Sequence, residues 1–213
     1  MVFHRLIRYS TCALFLGALA STTHAAIVYT LLGTPIPVNY DLFGVQLNLI
    51  TGAHASSGVA GWDFDPYFSG EGLTFTANAD SSYTTKGAIV GTGVETSALS
   101  FGTVIGSGSS YINNIGGGSN YAATDVNFNV VGQEYMGLRF WNENTSSIDY
   151  GWVLLSTGHS SSVTSYGYPA AIVAYAYDDS GASITTGAVP EPASALLSVV
   201  GACCLGFIRR RRS

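Results

Sequence analysis

The chain has 213 residues and a formal net charge of −5, and only 10% of its residues are charged, against about 25% in ordinary soluble domains. Its positive charge lies mainly at the two ends: residues 26–188 contain twelve acidic residues and only two basic ones, Lys86 and Arg139. Because nucleic acid and anionic lipid are bound through Lys and Arg, neither is expected as a partner of this middle region.

The N-terminus has the features of a secretory signal peptide. Arg5 and Arg8 give it a positive start, an apolar run follows, and Thr23 and Ala25 are small residues at the positions that a signal peptidase reads. The apolar run is too short to span a membrane comfortably. We therefore predict a signal helix over residues 1–25, its removal by signal peptidase, and export of the rest of the chain.

The middle region shows the two-residue alternation of strands that have one buried face. From Phe43 to Leu49 every second residue is apolar, and these residues are predicted to face the core. Farther along, Met136, Leu138 and Phe140 are predicted to share a core-facing side. Further strands are predicted at residues 73–78, 150–156 and 170–179.

Turn signals containing glycine, proline or aspartate separate these strands. They lie at Thr34-Pro35, Asp65-Pro66, Ser69-Gly70, and residues 106–110, 116–120 and 179–181. No helix signal of useful length occurs in the middle region. Many short strands with glycine-rich turns are typical of an antiparallel β-sandwich or jelly roll, so we predict one all-β domain over residues 26–188.

The middle region has few residues suited to catalysis. Its only histidines are His54, in "GAHASSG", and His159, in "TGHSSS", and no nucleophile-elbow motif accompanies them. Acidic pairs such as Asp178 and Asp179 stand at predicted strand ends, where solvated carboxylates are common. No enzymatic activity is therefore expected.

One stretch carries the oxygen ligands that Ca²⁺ prefers. The sequence "NENTSSID" places Asn142 and Asn144 two residues apart and ends with Asp149. It lacks the glycine and the terminal glutamate of an EF-hand loop, and the alternative is a solvated acidic loop. A Ca²⁺ site at these three residues is one hypothesis, and no other cofactor is expected.

Two tryptophans stand beside side chains that carry oxygen. Trp62 precedes Asp63 and Trp141 precedes Asn142, and an aromatic ring beside Asp or Asn is a combination on which sandwich lectins stack sugar rings. We name these four residues as candidates for glycan binding, the alternative being buried or half-buried structural rings. Trp152 is expected to fill the core of the sandwich.

The C-terminus has the features of a short membrane helix. Residues 193–208 are apolar or small and would form roughly 24 Å of helix, against a bilayer core of about 30 Å. The helix is followed by a positive cluster, which the positive-inside rule places in the cytoplasm. The cluster is Arg209, Arg210, Arg211 and Arg212. Pro190 and Pro192 bias the residues before them toward extended backbone, so an exposed handle is predicted outside the membrane.

Pro190-Glu191-Pro192, the apolar helix and the arginine cluster together resemble a PEP-CTERM sorting signal. Such signals occur on exported proteins of Gram-negative bacteria and are read by an exosortase, a membrane cysteine protease. The resemblance implies that the tail, residues 189–213, first holds the protein in the inner membrane and is then cut off. A permanent tail anchor is the alternative.

A second, weaker resemblance covers residues 135–177. The segments "YMGLRFWN", "YGWV" and "AYAY" are similar to the C-terminal half of a common PEP-CTERM ectodomain. This resemblance implies a β-sandwich surface protein with no assigned catalytic activity.

The expected protein is thus an exported one, anchored in the inner membrane in transit and then placed at the cell surface or in the extracellular matrix. Its expected role is structural or adhesive, within exopolysaccharide or biofilm. Signal peptidase, exosortase and exopolysaccharide are the expected partners. The alternative function is that of a lectin-like carbohydrate-binding module.

Overall fold

The computed structural model describes residues 27–39, 41, 43–69, 72–78, 87–92, 95–112, 127–128, 131–158 and 167–190. Within these ranges the chain consists of strands and connecting segments without helix, and its sheets are antiparallel. The prediction of an all-β protein is therefore confirmed. The predicted signal helix and C-terminal membrane helix lie outside the described residues, and none of the described elements is a helix suited to crossing a membrane.

Thirteen strands are present in the described ranges. They are β1 Ile27–Val38, β2 Gln46–Leu47, β3 His54–Ala55, β4 Phe64–Ser69, β5 Gly72–Ala77, β6 Ala88–Ile89, β7 Gly91–Thr92, β8 Glu95–Thr96, β9 Val104–Ile105, β10 Gly132–Asn142, β11 Ser147–Thr157, β12 Ala170–Asp178 and β13 Ile184–Thr185.

The long strands form a five-stranded sheet in the order β1-β12-β11-β10-β6. Its centre is the hairpin of β10 and β11, which pair without interruption from Gly132 opposite Thr157 to Asn142 opposite Ser147. A second sheet has the order β3-β2-β4-β5. Two small ribbons complete the described structure, β9 with β13 and β7 with β8.

The main core lies between the five-stranded and the four-stranded sheet, which gives the molecule a sandwich-like arrangement. Met136, Leu138 and Phe140 are buried in it, as the alternation predicts. From the facing sheet, Phe64 and Phe75 contribute rings whose centroids are 5.8 Å apart. Burial of each such side chain stabilises the fold by roughly 1.5–3 kcal/mol.

A second cluster lies on the opposite face of the five-stranded sheet, beneath the ribbon of β9 and β13. Its centre is Trp152, which is 1% exposed and packs near Ile105 of β9 and Ile184 of β13. Trp152 was expected to fill the space between the sheets. It is buried, but on the other side of its own sheet, because it alternates along β11 with the core residues Val153 and Leu155.

Two predicted turns lie within strands instead. Thr34-Pro35 falls in β1, an edge strand whose pairing with β12 is interrupted between Leu31 and Ile36. Asp65-Pro66 falls in β4, where the carbonyl of Pro66 accepts a hydrogen bond from the Val45 N–H at 3.1 Å. In an antiparallel strand the nitrogen and the carbonyl of one residue point to the same side, so the Pro66 nitrogen faces Val45 and not β5. The missing N–H of proline therefore removes no hydrogen bond between β4 and β5.

The predicted strand around residues 43–49 is largely absent, since only Gln46–Leu47 is paired as strand. Gly44 adopts a positive φ of 56°, which turns the chain just before this strand. As a result Phe43, predicted to face the core, is 69% exposed, whereas Val45, Leu47 and Leu49 are buried as predicted.

Candidate functional site

The beginning of the predicted sorting motif is the last part of the chain that the structure describes. Thr186 is fixed to the loop before β9: its N–H donates to the Thr103 carbonyl at 2.9 Å, and its Oγ1 donates to the Ser100 carbonyl at 2.7 Å. Only three residues later Val189 is half exposed, and Pro190 is exposed. The chain thus passes from a hydrogen-bonded position at Thr186 to an exposed one at the first residue of the motif.

The other residues of the predicted signal lie outside the described residues. They are Glu191, Pro192, Arg209, Arg210, Arg211 and Arg212.

Asp63, a candidate for glycan binding, is a buried carboxyl group that holds a loop. It is 3% exposed, and its Oδ2 accepts the N–H of Leu49 at 2.8 Å. Burial raises the pKa of Asp63 to about 8, although the Leu49 hydrogen bond lowers it, and the charge of Glu143 raises it further. Trp62, beside it, is half-buried.

Asn142 and Asp149 form a buried pair at the β10–β11 turn. The amide nitrogen of Asn142 donates to Asp149 Oδ2 at 2.6 Å, while its oxygen accepts the N–H groups of Asn144 at 2.9 Å and Thr145 at 3.4 Å. Trp141 is half-buried in the adjoining strand, opposite Ile148.

This geometry favours a hydrogen-bonded loop over the calcium hypothesis for Asn142, Asn144 and Asp149. The two backbone donors fix the orientation of the Asn142 amide, so its nitrogen, which is no metal ligand, faces the carboxylate. Across the described ranges, no group of three His, Cys, Asp or Glu side chains is arranged to hold a metal ion.

The candidates from these different parts of the sequence meet at one end of the molecule, which we call the acidic end: Asp63, Glu143, Asp149, Asp178 and Asp179. Glu143 Oε1 lies where a side chain on Gly61 would be, 2.9 Å from an ideal Cβ position. Burial raises the pKa of Tyr177, and the charges of Asp179, Asp149 and Asp63 raise it further. Asp179, Asp149 and Asp63 therefore all lie near the Tyr177 phenol.

Several polar side chains at and near this end are used to hold loops. Asn48 accepts the N–H groups of Ile50 and Thr51 at 2.9 and 2.8 Å and donates to the Gly61 carbonyl at 2.6 Å. Asp178 accepts the N–H of Ser180 at 3.0 Å, which closes the predicted turn after β12. Such local side-chain bonds to backbone are typical of loop-forming Asp and Asn.

A different surface, which the sequence analysis did not identify, lies on the outer side of the five-stranded sheet. Four rings follow one another across it: Tyr29 lies 5.9 Å from Trp152, Trp152 lies 5.2 Å from Tyr135, and Tyr135 lies 6.4 Å from Phe101. In the neighbouring row, Leu31 and Leu154 flank Ala174. We call Tyr29, Leu31, Phe101, Tyr135, Trp152 and Leu154 the outer aromatic face.

One signal in the sequence points to this surface. In "YGWVLLS" both alternating sets are apolar, Tyr150, Trp152 and Leu154 on one side and Val153 and Leu155 on the other. A strand that is apolar on both sides is covered on both sides or presents a binding surface.

Only one of the two histidines, His54, lies among the described residues. His54 lies in β3, is exposed, and its Nδ1 is 3.1 Å from the carbonyl oxygen of Gly52. His159 lies outside the described residues.

Comparison with known proteins returned no matching family model, no matching curated protein and no matching solved structure.

Proposed function

We propose that this chain is an exported surface protein that an exosortase sorts, and that its β-sheet domain acts as a structural or adhesive component of the extracellular matrix. In this proposal the two facing sheets are a β-sandwich of the jelly-roll kind, delivered by a signal peptide and a removable tail. Signal peptidase and exosortase process the chain, and exopolysaccharide surrounds the product. The cell is a Gram-negative bacterium.

The observation that carries the sorting proposal is the change in exposure between Thr186 and Pro190. Two hydrogen bonds hold Thr186, and the chain becomes exposed at Val189 and Pro190. A protease needs extended and accessible backbone, and the prolines of the motif favour that conformation. Val189 and Pro190, where the handle begins, are thus accessible without unfolding of the domain.

A structural role is supported by the way the domain is held together. Apolar clusters lie on both faces of the central sheet, and hydrogen-bonded Asp and Asn side chains fix the loops at one end. Residues 26–188 contain no cysteine, so these contacts hold the domain together without a disulfide. Such a domain suits an extracellular scaffold that has no reacting groups.

The sorting proposal is tested by the C-terminus of the mature protein. Mass spectrometry of the surface fraction should find no peptide beyond the region of Pro190 to Pro192, whereas a strain lacking exosortase should retain the tail. The double variant Pro190→Ala/Pro192→Ala should also retain it. A surface protein that still ends in Arg209 to Arg212 would be a permanent membrane protein, and the sorting proposal would be wrong.

The second candidate function is carbohydrate binding. It is favoured by the outer aromatic face, where Phe101 is 76% exposed beside the half-buried Tyr135. Aromatic side chains of this kind combine a large apolar body with a polar group, and they are common in binding sites. This function places a ligand on the domain after sorting and is independent of how the tail is removed.

A further inference from the structure

We propose that the outer aromatic face is a binding site for a neutral polysaccharide chain, which stacks on Tyr29, Tyr135 and Phe101. This inference rests on the carbohydrate-binding function given above and assigns it to a place on the fold. It also places glycan binding away from the acidic end, where Trp62 and Trp141, the tryptophans that the sequence suggests for this role, lie.

The first support is a continuous apolar surface, in which the half-buried Leu154 and Tyr135 lie between two exposed side chains, Leu31 and Phe101. Phe101 is 76% exposed and Leu31 is 65% exposed, at the two sides of the row in which Ala174 and Leu154 lie. Apolar side chains clustered at the surface mark interaction sites more often than singly exposed ones do. Among the described residues, the ribbon of β9 and β13 covers the neighbouring Trp152 but leaves these two side chains open.

The second support is that the position of Phe101 is fixed before any ligand binds. Its ring lies against the backbone of Gly187, where a Cβ would be only 2.3 Å from the ring, and Gly187 has a positive φ of 77°. The adjacent Thr186 is bonded to the Ser100 carbonyl. A side chain that is already fixed loses little conformational entropy on binding, so its contact contributes more to affinity.

The third support is a pair of phenols on this face. The rings of Tyr29 and Tyr135 lie 5.9 Å and 5.2 Å from that of Trp152, centroid to centroid, and both tyrosines are only half-buried. Tyr135 has a pKa raised by burial and, to a smaller extent, by Tyr29, which places the two phenols near each other. Two hydroxyls beside a row of aromatic rings suit a ligand that has both apolar C–H faces and hydroxyl groups.

The fourth support is charge, which favours a neutral ligand. The next row of the same sheet face continues with Ser156 and Gln133, which are polar but uncharged. The charged residues on this face, Asp178 and Arg139, lie in the row of Tyr150, on the other side of Trp152. A neutral hexose chain matches rings, hydroxyls and amides, whereas an anionic chain finds no cation in these rows.

The test uses the full-length protein in a detergent without sugar groups, titrated with cellohexaose, mannohexaose, xylohexaose and, as the anionic arm, hexagalacturonate. We expect at least one neutral hexasaccharide to bind and hexagalacturonate to bind more weakly. The indole N–H signal of Trp152, followed by NMR in ¹⁵N-labelled protein, should shift on binding. Tyr135→Ala and Phe101→Ala should each weaken binding by about tenfold, a loss typical of aromatic contacts at an interface centre.

Three control variants locate the site. Trp62→Ala and Trp141→Ala at the acidic end, and Phe43→Ala at an exposed position elsewhere, should leave affinity within about twofold. Tyr135→Phe, which keeps the ring and removes the hydroxyl, should have an intermediate effect. Melting temperatures of all variants establish that each one is folded.

The proposal is wrong if none of the neutral hexasaccharides binds, or if only Trp62→Ala and Trp141→Ala reduce binding. It is also wrong if phosphatidylcholine vesicles bind this face and the glycans do not, since the ligand would then be lipid. None of these outcomes affects the sorting proposal, because the processed C-terminus is measured separately.

Discussion

The two faces of the five-stranded sheet use neighbouring residues of the same strands but end in different environments. On the inner face, Leu138 and Val153 are fully buried beneath the second sheet. On the outer face, Trp152 is buried beneath a two-stranded ribbon, whereas Leu154 and Tyr135 remain half-buried. The difference indicates that the inner face supplies most of the stability and that the outer face has side chains available for contact with a ligand.

The largest expected effect compares one leucine from each face. Leu138→Ala, on the inner face, should lower the free energy of unfolding by about 2–5 kcal/mol, because it leaves a cavity between two sheets. Leu154→Ala, on the outer face, should cost only about 1 kcal/mol, because water already reaches part of its side chain. Urea denaturation of both variants gives the two values. Equal losses would show that the outer face is covered as completely as the inner one.

The next effect concerns the acidic end, where loops close one end of the molecule. Asn142→Ala should cost about 2–3 kcal/mol, because Asp149, which is fully buried, loses its amide donor and the turn loses its acceptor. Asn144→Ala, at an exposed position of the same turn, should change stability by less than about 0.5 kcal/mol. Denaturation at pH 7 measures both. A small effect of Asn142→Ala would show that the hydrogen bond between Asn142 and Asp149 does not stabilise the turn, and would favour an open binding site at these residues.

The pH dependence of stability gives a third test at the same end. The folded-state pKa of Asp63 is about 8, above its ordinary value of 3.8, so the native state holds the proton more tightly than the unfolded state. Stability from this group is therefore fully present below pH 4 and is lost as the pH rises toward 8. Asp63→Asn should match wild type near pH 4 and exceed it by on the order of 1–3 kcal/mol at pH 8.

Asp65 provides the matched control for this test. Burial raises its pKa to about 6, while the Val45 N–H lowers it and the charge of Asp41 raises it. The advantage of Asp65→Asn over wild type should therefore stop growing near pH 6, two pH units earlier than that of Asp63→Asn. If the two stability profiles coincide, the deeper burial of Asp63 does not raise its pKa above that of Asp65.

The all-β class, the long strands β10, β11 and β12, and the core side of β10 could be predicted from the sequence. Alternation determines which side chains share a face, and Met136, Leu138 and Phe140 follow it. Alternation does not say what covers each face. The sequence therefore predicts Trp152 in the core of the sandwich, whereas it packs beneath β9 and β13, strands of two residues each that carry almost no periodic signal.

The candidate site could be predicted even less well, because its rings are far apart in the sequence. Tyr29, Phe101 and Tyr135 come together only through the pairing of β1 with β12 and through the fixing of residue 101 against Gly187. Pro35 and Pro66 predict turns in the sequence, but both lie in strands. Each is at a place where the missing N–H of proline breaks no hydrogen bond with the neighbouring strand. Asp63 and Asn142, the side chains next to Trp62 and Trp141, hold loops instead.

The smallest expected effect is the most informative about the outer face. Phe101→Ser should change the free energy of unfolding by less than about 0.5 kcal/mol, because the side chain is 76% exposed. It should nevertheless reduce the binding of a fluorescent hydrophobic dye, since it removes the most exposed ring of the outer aromatic face; Phe43→Ser, also at an exposed position, is the matched control. A loss of more than about 1.5 kcal/mol would show that Phe101 belongs to the cluster around Trp152. A ring needed to cover Trp152 is not available to a ligand, so that result would also remove Phe101 from the proposed glycan site.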